Sequence, residues 1–266
     1  MADTQSYHEA ARFLWNERQA GRPFVPIPEP HTPRHLEDAY AIQVELQQLL
    51  TETYGPIAGH KIALTTPVMQ KMVGFDEPIA AAIMEKTVHH TPARVRLSDF
   101  GRLGVECEIA VRLAHDLPAE RAPYTRDSVA EAIGAVMPAF ELVDDRHADY
   151  TKIADNILTL LADNAWNGGI VLGSPLTDWQ SLDLAAIHGT MRINGEAVGE
   201  GYGRDVLGHP LDALAWLAST LAAQGKRLSQ GMVVMTGSVV ATKFVSQGDT
   251  VQLTMDGLGE VELSVE

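Results

Sequence analysis

Gly104-Val105-Glu106-Cys107-Glu108-Ile109-Ala110-Val111-Arg112-Leu113 is the stretch on which the reading of this chain turns. Its apolar members are β-branched or small and a glycine bounds it, so it reads as a strand, in which residues two apart share a face. Glu106 and Glu108 therefore point the same way. Two neighbouring carboxylates repel, and on an otherwise apolar strand a cation or a shared proton must relieve them. All-oxygen ligands suit a hard cation such as Mg²⁺, Mn²⁺ or Ca²⁺. The alternative is that both glutamates line the wet face of an edge strand, and the motif alone leaves the two open.

Upstream, Gly59-His60-Lys61-Ile62-Ala63-Leu64-Thr65-Thr66-Pro67 reads as a short strand running into a turn. Lys61 lies on its mainly apolar part, either as an exposed lysine protecting a sheet edge or as a buried cation that can bind a carboxylate or trade a proton. Before it, Ala10, Ala11, Leu14 and Trp15 predict an amphipathic helix over Tyr7–Gln19, stopped by Gly21 and Pro23. The proline-rich run from Pro23 to Pro33 is an extended connector. Leu36, Ala39, Tyr40, Gln43, Leu46, Gln47 and Leu50 mark a second helix, ended by Gly55-Pro56. Met69 to Phe75 adds a helical turn or two, and Asp76-Glu77-Pro78 introduces Ile79 to Met84. Thr87 to Ser98 predicts strands on a sheet rim. His89 and His90 there face opposite ways and do not share a metal.

Downstream, Thr125 caps a helix expected over Ser128–Val136, and Pro138 to Arg146 reads as a strand. Glu141, flanked by apolar residues, is a third candidate buried carboxylate; a salt bridge to Arg146 or a solvent-facing position is the competing reading. Asp163 to Gly169 forms a polar turn feeding a strand at Ile170–Gly173, and Asn194-Gly195 predicts a β-hairpin. Gly199 to Gly208 reads as a bent connection without phosphate-loop spacing. Pro210 to Gln224 is the clearest helix. Met232 to Val265 reads as strands separated by glycine turns. Helices early and strands late predict an α+β chain.

With 266 residues, 45% hydrophobic and 21% charged, the chain can bury one large core or a main domain with a smaller appendage. A net charge of -15 opposes binding to nucleic acid and to anionic membrane. There is no run of apolar residues long enough for a membrane span, and the N-terminal residues lack the pattern of a signal peptide, so the expected location is the cytoplasm. The single cysteine, Cys107, excludes an internal disulfide and a thiolate zinc site, and reads as a packed small hydrophobe.

Six motifs in order carry a resemblance: Gly59-His60-Lys61-Ile62-Ala63-Leu64-Thr65, Glu106-x-Glu108, Glu141-Leu142-Val143-Asp144, Ala162-Asp163-Asn164-Ala165, Ala215-Trp216-Leu217-Ala218 and Thr236-Gly237-Ser238. From about Leu36 to the C-terminus the chain resembles the fumarylacetoacetate hydrolase superfamily, in its 2-oxopent-4-enoate hydratase and 4-oxalocrotonate decarboxylase branch. The resemblance implies curved mixed sheets around a β-roll preceded by a small α-rich N-terminal region, here residues 1–75 and 76–266, and it implies a homo-oligomer. It implies that Glu106, Glu108 and Glu141 bind one Mg²⁺ or Mn²⁺ and that Lys61 faces the substrate. Thr65, Thr66 and Ser238 match positions on the substrate's carboxylate side, and Asp163 with Asn164 a motif that shapes the pocket.

The implied chemistry is hydration of a 2-hydroxy-2,4-dienoate, or decarboxylation of 4-oxalocrotonate, through an enolate of the 2-oxo acid stabilised by the metal. One departure stands out: relatives carry an acid after the Glu-Pro that matches Glu77-Pro78, and here the position is Ile79. Either Lys61, Glu77 or a metal-bound water then carries the proton, or the reaction differs from that of the typical hydratase. Two other readings remain. An acylpyruvate-type C–C bond hydrolase needs a positioned base to activate water, commonly a histidine with an acid; His8-Glu9, His31 and His35 lie in the N-terminal part, and no spacing singles one out. A metal-binding oligomer without turnover is the other. A second substrate carboxylate would call on Arg146, Arg204 or Lys243, each of which otherwise reads as a surface cation.

Overall fold

The computed structural model describes residues 4–266. In chain order its elements are α1 (Thr4–Gln19), α2 (Leu36–Tyr54), β1 (Ile57–Ala63), α3 (Pro67–Val73), β2 (Ile79–Met84), β3 (Val88–His90), β4 (Ala93–Val95), β5 (Leu103–Leu113) and α4 (Arg126–Ala130). There follow β6 (Ile133–Asp144), α5 (Ile157–Ala162), β7 (Asn167–Leu172), β8 (His188–Ile193), β9 (Glu196–Tyr202), α6 (Pro210–Ala223), β10 (Val233–Phe244), β11 (Thr250–Met255) and β12 (Gly259–Val265). The strands form a seven-stranded sheet in the order β2-β1-β10-β5-β6-β7-β3 and a five-stranded sheet in the order β4-β12-β11-β8-β9. Both are mixed, because β1 runs parallel to β10, β3 to β7, and β12 to β4. This is the α+β architecture expected.

The strand of Glu106 and Glu108 lies at the middle of the larger sheet, hydrogen-bonded to β10 on one side and β6 on the other. Its alternation is expressed in full. Val105, Cys107, Ile109 and Val111 enter the main core with Val251, Leu253, Val261 and Leu263 of the smaller sheet and the apolar face of α6. Burial of this kind stabilises by roughly 25 cal/mol per Å² of apolar surface removed from water. A second core joins α1, α2, α5 and β2. There Gln43 ties the helices to the sheet, its amide donating to Ala80 O at 3.0 Å and to Leu161 O at 2.8 Å.

Three elements depart from the expectations above. The helix begun by Thr125 ends at Ala130, and Ile133 to Val136 belong to β6, where Ile133, Ala135 and Val136 pair with Leu113, Arg112 and Val111. Cross-strand pairing by β-branched residues overrides the helical spacing. The first part of Gly199–Gly208 is strand, the end of β9. Met232 to Val245 is essentially one strand, β10, and Thr236-Gly237-Ser238 is an irregularity within it, not a turn. Gly237 has φ +121°, and a Cβ there would fall 2.3 Å from Thr65 Oγ1, so only glycine fits. The helices α1 and α2 precede residue 75, yet β1 lies on that side too and is an inner strand of the larger sheet. Among the described residues no helix is long and apolar enough to cross a membrane.

Candidate active site and metal centre

The register of β5 against β6 brings the three glutamates together. Glu106 sits directly opposite Glu141, and Glu108 opposite Ala139. Directly opposed like charges destabilise an antiparallel pair, and here a third carboxylate is added two residues along the same face. One carboxylate oxygen from each of Glu106, Glu108 and Glu141 can be chosen so that all lie within 4.8 Å of one another. Glu108 and Glu141 are fully buried, Glu106 only partly.

The trio's polar partners are few. Glu108 Oε2 accepts the Gly237 N–H at 2.7 Å, which is what the irregularity in β10 achieves. Thr236 Oγ1 fixes that segment by donating to Ile109 O at 2.8 Å. Glu141 Oε1 takes the Lys61 ammonium at 3.0 Å and the Asn167 amide at 3.1 Å. Thr242 Oγ1 donates to Glu106 Oε1. Glu108 Oε1 and Glu141 Oε2 are buried without any partner. An unpaired buried carboxylate oxygen is costly. Two of them converging with a third acid fit a hard divalent cation, which is satisfied by oxygen alone. Burial pushes the Glu108 carboxyl well above the usual range, with Glu141 and Glu106 adding to it against the Gly237 N–H and Lys61. Glu106 is raised by burial and then by Glu141, with Lys61 and the Thr242 hydroxyl opposing.

Lys61 is 3% exposed on an inner strand, which removes the reading of an edge lysine. It lines a cavity of about 590 Å³ together with Glu106, Thr65, Thr66, Ser238 and Asp205. The Thr66 hydroxyl is also the cap of α3, accepting Met69 N–H at 3.2 Å. The Ser238 hydroxyl is held by the Cys107 N–H at 3.1 Å and the Val240 carbonyl at 2.6 Å.

Two sequence candidates do not reach this cavity. Glu77 is exposed on the turn before β2, and its charge is felt instead by Tyr40 of α2. Asp163 is fully buried, but its carboxylate is consumed by two guanidinium groups: Arg18 Nε reaches Oδ1 at 2.6 Å and Arg146 Nη2 donates to Oδ2. It anchors α1 and the segment after β6 to one another. Arg146 therefore pairs with Asp163, and Glu141 with Lys61, against the Glu141–Arg146 pair considered from the sequence. Asn164 is likewise structural, its amide exchanging hydrogen bonds with Ala82 O and N at 2.9 and 3.0 Å. Ile79 packs in the helical core at 1% exposure and does not line the cavity.

Asn167, Thr242 and Asp205 are the polar residues at the site that sequence reasoning missed. Asn167 and Thr242 become visible only through strand pairing, while Asp205 was hidden in a glycine-rich segment without a motif. Its carboxylate accepts the Tyr202 N–H at 2.7 Å and lines the cavity. Among the described residues the cavity lining holds no histidine. His8 faces Glu45 at 3.3 Å, His31 contacts Ser6 at 2.9 Å, and His35 begins α2. None of the three candidate histidines lines this cavity.

Comparison with known proteins agrees with this geometry. Residues 57–266 match the family model described as fumarylacetoacetate (FAA) hydrolase C-terminal. The 2-keto-4-pentenoate hydratase of Paraburkholderia xenovorans (strain LB400) is 34% identical over 263 residues, spanning 98% of this chain and 96% of the relative. The 2-hydroxyhexa-2,4-dienoate hydratase of Comamonas testosteroni is 34% identical over 262 residues, 97% of each chain. The structure of 4-oxalocrotonate decarboxylase from Pseudomonas putida G7, complexed with magnesium and adipate, superposes with a TM-score of 0.91 at 26% identity, covering 100% of this chain and 99% of that one. With the greater part of its length matched by the family model and full-length relatives on either side of the hydratase and decarboxylase reactions, the chain belongs to the fumarylacetoacetate hydrolase family.

Proposed function

We propose that this protein is a divalent-metal-dependent lyase that hydrates 2-hydroxy-2,4-dienoates. The observation that carries the reading is the trio of Glu106, Glu108 and Glu141, with two orphaned buried oxygens, set beside the buried ammonium of Lys61, with Glu106 and Lys61 lining one cavity. Relatives named as hydratases over nearly the full length support the same reaction class. The three carboxylates would hold Mg²⁺, the ion bound in the decarboxylase structure, and Mn²⁺ would satisfy the same oxygen donors. When bound, the ion supplies Lewis acidity toward the 2-oxygen and the C1 carboxylate of the substrate.

The chain's own groups do the rest. In hydration the 2-hydroxyl proton leaves, C5 is protonated to give the conjugated 2-oxo-3-enoate, and water then adds its oxygen to C4 and a proton to C3. Among the described residues Lys61 Nζ is the one cation lining the cavity, and it is the group that delivers a proton to the substrate carbon. Its ion pair with Glu141 keeps the ammonium aimed at the site. Among the described residues Asp205 is the one carboxylate in the lining outside the trio, and in this reading it receives the water's proton, the task for which Ile79 has no chemistry. Apolar walls from Leu64, Val239 and Trp166 exclude bulk water from the enone.

A second reading, decarboxylation of 4-oxalocrotonate, is favoured by the similarity to the Pseudomonas putida G7 enzyme and would use the same trio and lysine. The test is an ultraviolet assay with Mg²⁺ on 2-hydroxypenta-2,4-dienoate and 4-oxalocrotonate in parallel, with an EDTA control. Metal-dependent loss of the dienoate is expected, and Lys61→Met should lower kcat by about 10²–10⁴-fold while leaving metal binding intact. An unimpaired Lys61→Met variant, or a dienoate untouched while oxalocrotonate loses CO₂, overturns the hydratase.

A further inference from the structure

We propose that the outer half of the cavity binds an apolar tail, so that this chain takes 2-hydroxydienoates bearing an alkyl or aryl group at the end remote from C1 and rejects 2-oxo diacids. The inference rests on the reading of the trio and Lys61 as the place where the 2-oxo acid end is held. Its own evidence lies elsewhere in the lining. Among the described residues the exposed large hydrophobic side chains are Val25, Val68, Met69, Met72, Tyr150, Tyr202 and Phe244. Five of these seven, Val68, Met69, Met72, Tyr150 and Phe244, line this one cavity. Val68 is 77% exposed on α3, a position that burial in the protein's own core does not explain. Exposed apolar surface gathered in one place marks a surface that something apolar covers. It is continuous with the cavity that contains Lys61 and Glu106, which makes a substrate tail the occupant.

Charge points the same way. Among the described residues Lys61 is the only cation in the lining and is already paired with Glu141, whereas Glu106 and Asp205 add negative charge. Arg102 lies 4.3 Å from the centre of the Phe244 ring, but it donates to both oxygens of Asp145 and to Ala148 O at 3.3 Å. Lys152, near Tyr150 in sequence, faces Asp149 at 3.5 Å. Arg146, considered above for a second carboxylate, is buried against Asp163, and Arg204 lies over the Tyr202 ring at 3.8 Å. Lys71 and Lys243 lie outside the lining, and Arg102, Arg146 and Lys152 are each committed to a carboxylate of the protein, so a distal carboxylate entering the apolar lining would lose water without gaining a cation there, which is unfavourable. Met69 and Met72, unbranched and polarizable, adapt to tails of different shape.

The test uses the full chain with Mg²⁺ and the unreactive probes 2-oxobutanoate, 2-oxohexanoate, 2-oxooctanoate and 2-oxoadipate, read by titration calorimetry. The dissociation constant should fall roughly fourfold per added methylene along the monoacids, and 2-oxoadipate should bind at least about tenfold more weakly than 2-oxohexanoate, which has the same chain length. Met72→Arg, at a half-exposed helix position where folding tolerates the change, should reverse that preference. Equal or tighter binding of the diacid, or indifference to chain length, overturns the tail site. A length preference without dienoate turnover leaves the tail site standing and removes the hydratase, turnover with a diacid preference does the opposite, and failure of every oxo acid to bind overturns both.

Discussion

Replacing Glu108 by glutamine should make the metal-free protein more stable and the metal-loaded protein less so. Glutamine keeps the volume and the acceptor for the Gly237 N–H, and removes one of three charges. With the ligating oxygens within 4.8 Å, each like-charged pair costs about 3.5 kcal/mol at an effective dielectric constant near 20. Glu108 takes part in two such pairs. Proton uptake and Lys61 already relieve much of this in the wild-type protein, so Glu108→Gln should add about 1–3 kcal/mol in EDTA. In Mg²⁺ at one hundred times its dissociation constant, the wild-type protein gains about 2.7 kcal/mol that the variant forgoes. Urea unfolding in EDTA and in Mg²⁺ reads both, provided that the denaturant slope is unchanged. A variant that is less stable in EDTA at unchanged slope, or that is stabilised by Mg²⁺ as much as the wild type, would refute the assignment of Glu108 as a ligand.

Two further outcomes follow from buried charges away from the trio. Asp163→Asn leaves Arg18 and Arg146 without their common carboxylate and should cost about 3–5 kcal/mol, read as a lowered urea midpoint; a change under about 1 kcal/mol would mean that the pair is not sustained in solution. His60, buried on β1, is held down to about 4 from its usual 6.5 by burial and by Lys226. The unfolded chain therefore takes up a proton that the folded chain refuses, and stability is lost as pH falls from 6.5 to about 4, by roughly 3 kcal/mol in all. Urea midpoints across that window should fall for the wild type and less steeply for His60→Leu, and parallel curves would show that His60 is protonated in the native state.

The sequence carried the strand of Glu106 and Glu108 because its two faces differ in chemistry at every second residue. It could not carry the register. That Glu106 faces Glu141 depends on where β6 begins, and a good cap at Thr125 followed by helix-compatible residues concealed a strand starting at Ile133. Lys61 was ambiguous for a related reason: whether a strand is an edge is a property of the sheet, and the pairing of β1 with both β2 and β10 appears in no local pattern. Asp205 borders the cavity and Glu77 does not, because nearness along the chain to the expected acid position says nothing about which loop borders the cavity. The triad of Arg18, Asp163 and Arg146 joins residues 145 positions apart, beyond any spacing rule.

The position of β5 also decides between the two readings with which the glutamate pair began. On an edge strand, water would hydrate both carboxylates and no cation would be required. At the centre of a seven-stranded sheet, Val105, Cys107 and Ile109 are at most 1% exposed on the opposite face, and the neighbouring strands occupy both flanks. Turning the glutamates outward would turn those side chains out of the core, because a strand cannot rotate one face alone. The apolar face therefore holds the carboxylates in a dry, crowded place against their own repulsion. Lys61 neutralises one oxygen, Gly237 and Thr242 satisfy others, and two buried oxygens remain. The packing denies solvent to those two oxygens, which leaves a shared proton or a divalent ion to relieve them, and in the reading proposed here the ion completes the fold at this point as well as the chemistry.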